Sequence, residues 1–121
     1  MKNLILFSSL LLLFFITACK KNQLGGKSEI SGTVAHHGKI IPNAIVYIKF
    51  NATEFPGADV SLYNAQVNAD ANGAYSFKCY KGSYYLYAVG FDSSLPATVS
   101  GGLSLKPRTN EKIKADLAVT E

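Results

Sequence analysis

Two hydrophobic patterns divide this chain. Leu4 to Ile16 is a continuous run, apolar except at Ser8 and Ser9. From Glu29 onward the apolar residues instead recur at every second position, in short stretches. Ala44, Val46, Ile48 and Phe50 alternate with Ile45, Tyr47 and Lys49, and Ile113, Ala115, Leu117 and Val119 alternate with Lys114, Asp116 and Ala118. Ile30, Gly32 and Val34 make one side of an opening stretch of the same kind. Successive side chains of a strand leave opposite faces, so a period of two marks strands that bury one face. No window beyond the first run sustains a helical period. Clusters of Gly, Pro, Asn and Asp punctuate the stretches and predict strands near 29–35, 44–50, 63–69, 74–80, 83–90, 102–106 and 112–119. Seven short strands over about 100 residues predict an all-β chain, a seven-stranded antiparallel β-sandwich.

The turns refine this pattern. Lys81-Gly82 separates two strong stretches, and a two-residue loop predicts a hairpin with Tyr80 opposite Ser83. Its ladder sets Cys79 opposite Tyr84, Phe77 opposite Leu86 and Tyr75 opposite Ala88 on one apolar face. Lys78 then lies beside Tyr85, and Ser76 beside Tyr87, on the wetter face. Upstream, Asp70-Ala71-Asn72-Gly73 allows two loops. A two-residue Asn-Gly loop would put Asn68 and Gln66 on the core face. A three-residue loop, closing Asp70 on Ala74, keeps Ala69, Val67 and Ala65 there. A slip of one residue flips every side chain, so the three-residue loop is expected, with Gly73 in the left-handed conformation that glycine tolerates. Asp70, Gly73 and Gly82 are thus predicted turn residues.

The first run has different work. It follows one basic residue, Lys2, and is shorter than the roughly 20 apolar residues a membrane span needs, which is the build of a secretory signal. Its end, Ile16-Thr17-Ala18-Cys19, resembles the bacterial lipobox. That resemblance implies cleavage before Cys19, a diacylglycerol thioether on its thiol and a third acyl chain on the freed amino group. One acyl chain anchors only marginally, whereas three hold firmly. Residues 1–18 are therefore expected to be a lipoprotein signal peptide, Cys19 the lipidation site and the membrane a partner. With Cys19 acylated, Cys79 has no partner within the chain and is expected to be a small buried residue.

Asn22 to Ser28 is polar, glycine-containing and aperiodic, which reads as a tether. The expected divisions are 1–18 signal, 19–28 lipidated cysteine and tether, and 29–121 domain. Lys20 and Lys21 stand where surface-displayed lipoproteins of some Gram-negative groups carry acidic residues, which favours the periplasmic side of the outer membrane. The chain carries 12 basic and 8 acidic residues, a mild balance. Lys20, Lys21 and Lys27 suit contact with lipid head groups. No basic run is interleaved with aromatics, so nucleic acid is not an expected partner.

The order of features after residue 29, "ISGTV", "IPNAIVYI", "NADANGAYSF" and "KGSYYLYAVGF", resembles the carboxypeptidase regulatory-like family, a small sandwich of the transthyretin (prealbumin-like) type. Gly32, Val34, Pro42, Ala44, Val46, Asp70, Gly73, Tyr75, Gly82 and Tyr84 occupy its pattern positions. The resemblance implies a fold more than a function. Its members are not themselves catalytic. They accompany peptidases, outer-membrane receptors or adhesins, and some relatives belong to a carbohydrate-binding-like superfamily.

The remaining chemistry is sparse. His36-His37 is the only histidine pair. Neighbours on a strand point to opposite faces, and a zinc site needs three or four ligands, so both are expected as exposed turn residues. Asp59, Glu54 and Asp92 fall in predicted loops. No G-x-S-x-G elbow is present, and Asp70 to Gly73 lacks the ligand repeat of a calcium loop. No catalytic residue, cofactor or metal is expected. Tyrosine is the unusual feature, seven in all, with Tyr47, Tyr80, Tyr85 and Tyr87 assigned outward. Exposed aromatics with a polar tip suit sugar or protein contact. The expected function is a lipid-anchored binding or structural module of the cell envelope, accessory to a larger complex with an envelope protein or glycan. A carbohydrate-binding module using Lys78, Tyr85 and Tyr87 is the alternative, and a small metal-dependent envelope enzyme a further one. The long loops 51–62 and 91–101 are other candidate contact sites.

Overall fold

In the computed structural model, which describes residues 20–121, the alternating stretches become nine strands: β1 (Leu24–His36), β2 (Lys39–Ile40), β3 (Ile45–Phe50), β4 (Ala65–Asn68), β5 (Ala74–Cys79), β6 (Tyr84–Asp92), β7 (Ala97–Leu105), β8 (Lys112–Lys114) and β9 (Leu117–Ala118). One 3₁₀ turn, Val60–Leu62, interrupts the loop between β3 and β4. The expected signal segment 1–18 and Cys19 lie outside the described residues.

Two sheets form, and both are mainly antiparallel. The first runs β2-β1-β5, with β8 and β9 also pairing along β1; the second runs β4-β3-β6-β7. One apolar cluster draws on both: Ile30, Val34 and Cys79 from the first sheet, Val46, Ile48 and Leu86 from the second, each completely buried. This is the arrangement of a β-sandwich.

The face of each side chain agrees with the sequence pattern, but the strand partners do not. Tyr75, Phe77, Cys79, Tyr84, Leu86 and Ala88 are all buried, as the alternation requires. The predicted hairpin between β5 and β6 is absent. Phe77 lies opposite Ile30 on β1, and Leu86 lies opposite Ile48 on β3. The Lys81-Gly82 turn carries the chain from one sheet to the other. Both sheets point their apolar faces at the same core, so a strand that changes sheet keeps its inward set. The Asp70 turn behaves likewise. It closes as a three-residue loop, with the Ala74 carbonyl accepting from the Asp70 N–H at 2.9 Å and Gly73 at φ +74°. Yet β4 on one side pairs with β3, and β5 on the other pairs with β1.

Two departures concern the ends. β8 and β9 run parallel to β1, because the chain returns to the first sheet only after crossing the second, and parallel neighbours need such a long connection. The single strand expected over 112–119 breaks at Ala115-Asp116. There the Asp116 carboxylate accepts from the Thr33 backbone N–H (3.0 Å) and hydroxyl (3.2 Å), replacing a ladder bond.

The stretch expected as a tether is largely structured. β1 begins at Leu24, and a bulge places both Leu24 and Ser28 opposite Cys79. Asn22 is fixed as well. Its N–H donates to the Lys81 carbonyl at 2.9 Å, and its Oδ1 accepts from the Ser83 N–H at 2.8 Å. Gly82 makes room for this clasp. Its φ is +152°, and a Cβ there would stand 2.0 Å from Asn22 Oδ1.

Candidate functional site

The outer face of the second sheet is aromatic. Tyr85 and Tyr87 project there from β6, with Lys49 and Tyr47 beside them on β3 and Ser104 and Gly102 on β7. The loop from Asn51 to Asn64 folds over this face. Its base is closed by the Phe50 N–H donating to Asn64 Oδ1 at 2.8 Å and the Asn64 N–H donating to the Ile48 carbonyl at 2.9 Å. Within it, Asp59 caps the 3₁₀ turn, its Oδ1 accepting from the Ser61 hydroxyl (2.8 Å) and N–H (3.0 Å). Those two bonds hold the carboxyl below its ordinary range. The Tyr63 hydroxyl donates to the Gly57 carbonyl at 2.9 Å.

Four rings lock the loop to the sheet. Tyr63 stacks on Tyr87 with centroids 5.6 Å apart and planes within 14°. Phe55 meets Tyr87 at 5.2 Å and Tyr85 at 5.8 Å, both tilted. Burial in this layer, aided by Tyr87 and Tyr85, pushes the Tyr63 hydroxyl up to about 12. Tyr87 is left 7% exposed, so it supports the layer from below and is not the open ring expected of it. Phe55 is the outermost member, 52% exposed, and Val60 and Leu62 on the same loop are each 43% exposed. A shallow hollow of about 400 Å³ opens between Tyr47, Tyr63 and Gln66.

The expected ligand face therefore divides. Tyr85 and Tyr87 share it, but Lys78 does not. Lys78 sits on β5 opposite Glu29, on the outside of the other sheet, because β5 and β6 never pair. Phe55 and Tyr63, which complete the aromatic layer, were not singled out from the sequence. Phe55 fell in the long 51–62 loop, with no period to assign it to a face, and Tyr63 was expected at the start of a strand that begins only at Ala65.

The histidines also differ from expectation. His37 is exposed, at φ +50°, but His36 is only 3% exposed, and its Nδ1 lies 2.9 Å from Asp92 Oδ2. The pair joins the end of β1 to the end of β6, one from each sheet. The Ser94 hydroxyl, His36 and the Ser94 N–H lower the Asp92 carboxyl to about 2. Asp92, Asp59 and Glu54 do not form one cluster: Asp92 serves His36 and Ser94, and Asp59 serves Ser61. Cys79 is free and buried, and burial raises its thiol while the Tyr84 hydroxyl partly offsets this. Asp70 and Gly73 sit in their turn, the Asp70 Oδ1 accepting from the Asn72 and Ala74 N–H groups. Cys19 lies outside the described residues.

No protein-family model and no curated protein matches the chain.

Proposed function

We propose that this chain is a lipid-anchored, non-catalytic binding module of the bacterial envelope, with residues 1–18 as signal peptide, Cys19 as the acylated residue and the domain as a carboxypeptidase regulatory-like sandwich of transthyretin type. It docks a larger envelope protein on the periplasmic side of the outer membrane. The observation that carries the docking role is the 51–64 loop. Hydrogen bonds and stacked rings hold it in one conformation, yet it turns Phe55, Val60 and Leu62 outward. Exposed apolar side chains on an ordered loop mark contact surfaces.

The family reading is supported by physical reasons for its motif positions. A Cβ at Gly32 would stand 2.0 Å from the Ala115 carbonyl oxygen, so only glycine lets the β8–β9 segment cross there. The Tyr75 hydroxyl donates to the same Ala115 carbonyl, and the Tyr84 hydroxyl lies 2.7 Å from the Tyr80 carbonyl and 3.1 Å from that of Gln23. Val34, Ala44 and Val46 are core residues.

Two experiments test the reading. Alkynyl fatty-acid labelling in cells should mark the wild type and not Cys19→Ala; a labelled Cys19→Ala chain, or an unlabelled wild type, removes the anchor. A photo-crosslinking amino acid at Phe55 or Leu62 should capture one discrete envelope protein, while the same group at Lys78 should not. Equal capture from both positions removes the docking face. Glycan binding is the second reading, favoured by the open wedge of Phe55 and Tyr85, inclined at 46°. It requires glycan-array binding that Tyr85→Ala and Phe55→Ala abolish.

A further inference from the structure

At the β5–β6 crossing, three segments meet around an open cleft of about 590 Å³ lined by Lys21, Lys81, Lys106 and Arg108. No carboxylate lines it. Among the described residues the one salt bridge is His36–Asp92, so these four cations are not neutralised by an ion pair there. Residues 1–19 contain no Asp or Glu. The nearest acid in sequence, Glu111, spends its carboxylate on the Arg108 backbone N–H at 3.0 Å.

The backbone under the cations is fixed. The Asn22 N–H donates to the Lys81 carbonyl, and the Gly82 N–H to the Pro107 carbonyl at 3.2 Å. Pro107 is fully buried, and the Arg108 carbonyl accepts from the Ser28 hydroxyl. All four cationic side chains are nonetheless exposed. Four like charges line one cleft without counter-charge, and such a cleft concentrates anions.

We propose that this cleft receives the phosphates of anionic phospholipid head groups and seats this end of the domain directly on the bilayer. The proposal rests on the anchor at Cys19. Since Asn22 is clasped to the Lys81–Ser83 turn, Lys20 and Lys21 are the only residues between Cys19 and the fold. At about 3.3–3.6 Å per residue, the clasp cannot lie more than about 10 Å along the chain from the lipidated residue. The cleft is therefore within reach of the head groups whenever the lipid is inserted, and each cation removed should weaken the seat about fivefold.

The test uses the lipidated chain reconstituted into phosphatidylcholine vesicles and into vesicles doped with phosphatidylglycerol, read by amide hydrogen exchange. Amides of Lys81–Ser83 and Arg108–Thr109 should exchange more slowly on the anionic vesicles only. High salt, and the variant Lys81→Gln/Lys106→Gln/Arg108→Gln, should remove that difference. The variant's fold is checked by resistance of Cys79 to alkylation. Equal exchange on both vesicles, or protection that survives the triple variant, overturns the proposal. Failure of the anchor gives a different result: the chain leaves phosphatidylcholine vesicles altogether, while the phosphatidylglycerol arm still reads the cleft. An oligonucleotide that competes fully for the chain on anionic vesicles would also overturn it, by showing a surface for nucleic-acid phosphates.

Discussion

Asp92 works only because of what surrounds it. Ser94 and His36 stabilise its ionised form, so the folded carboxyl titrates near 2, below the ordinary value of 3.8. A lowered carboxyl favours the folded state above the unfolded titration point and loses that contribution as pH falls through the folded one. The urea midpoint of the wild type should therefore drop between about pH 4 and 2, and Asp92→Asn should flatten that part of the profile. Equal slopes in both proteins would contradict this. Gly82→Ala should cost about 1–3 kcal/mol in denaturant unfolding, because the new methyl meets the Asn22 amide. Neither contact was legible as a pair. His36 and Asp92 stand 56 positions apart, on strands whose ends meet only across the core. The exposed-turn assignment for His36 followed from its place beside His37 and from the lack of a third ligand, neither of which reports on Asp92. Gly82 was legible as a turn residue, since its chemistry is local; its partner Asn22 was not.

At the level of elements, alternation fixes which face a side chain takes and leaves open which strand it faces. That is why Cys79, Tyr84 and Leu86 were placed inward correctly while β5 and β6 were wrongly paired. Inward-facing parity is the same whether a turn folds a strand back beside its predecessor or sends it to the opposite sheet. The strand β1 shows a second limit: its first residues, Leu24 to Ser28, lack alternation because a bulge interrupts them, so they resembled a tether. The aromatic loop was half legible. Its length marked it, but the roles of Phe55 and Tyr63 depend on rings of β6 that no spacing connects to them. Tyr63→Ala should free this loop, removing an aromatic stack worth about 0.5–1.5 kcal/mol beyond its buried area. Amides of Ser61 to Asn64 should then exchange faster while those of β1 stay unchanged. Uniform acceleration throughout the protein would show that the loop and the sheets unfold as one unit.

Over the whole molecule, the half-buried Tyr63 and the buried Tyr84 help to set an alkaline limit. Burial chiefly raises the hydroxyls of Tyr63 and Tyr84 to about 12 from an ordinary 10.0. The folded state prefers their neutral form, so their contribution is intact below about pH 10 and is lost as pH rises toward 12. Absorbance of phenolate should show these two titrating late, and Tyr84→Phe should lessen the alkaline loss of stability. The strand order has a further consequence, for the timing of folding. β1 pairs with β2 and with residues 74–79 along one edge, but its other edge pairs only with residues 112–118, so that edge has nothing to close on until those residues have been made. Chains whose contacts are this distant in sequence organise late. That edge must wait, bare, for the closing strands, and a chain cut after Asn110 should leave it open for good and aggregate.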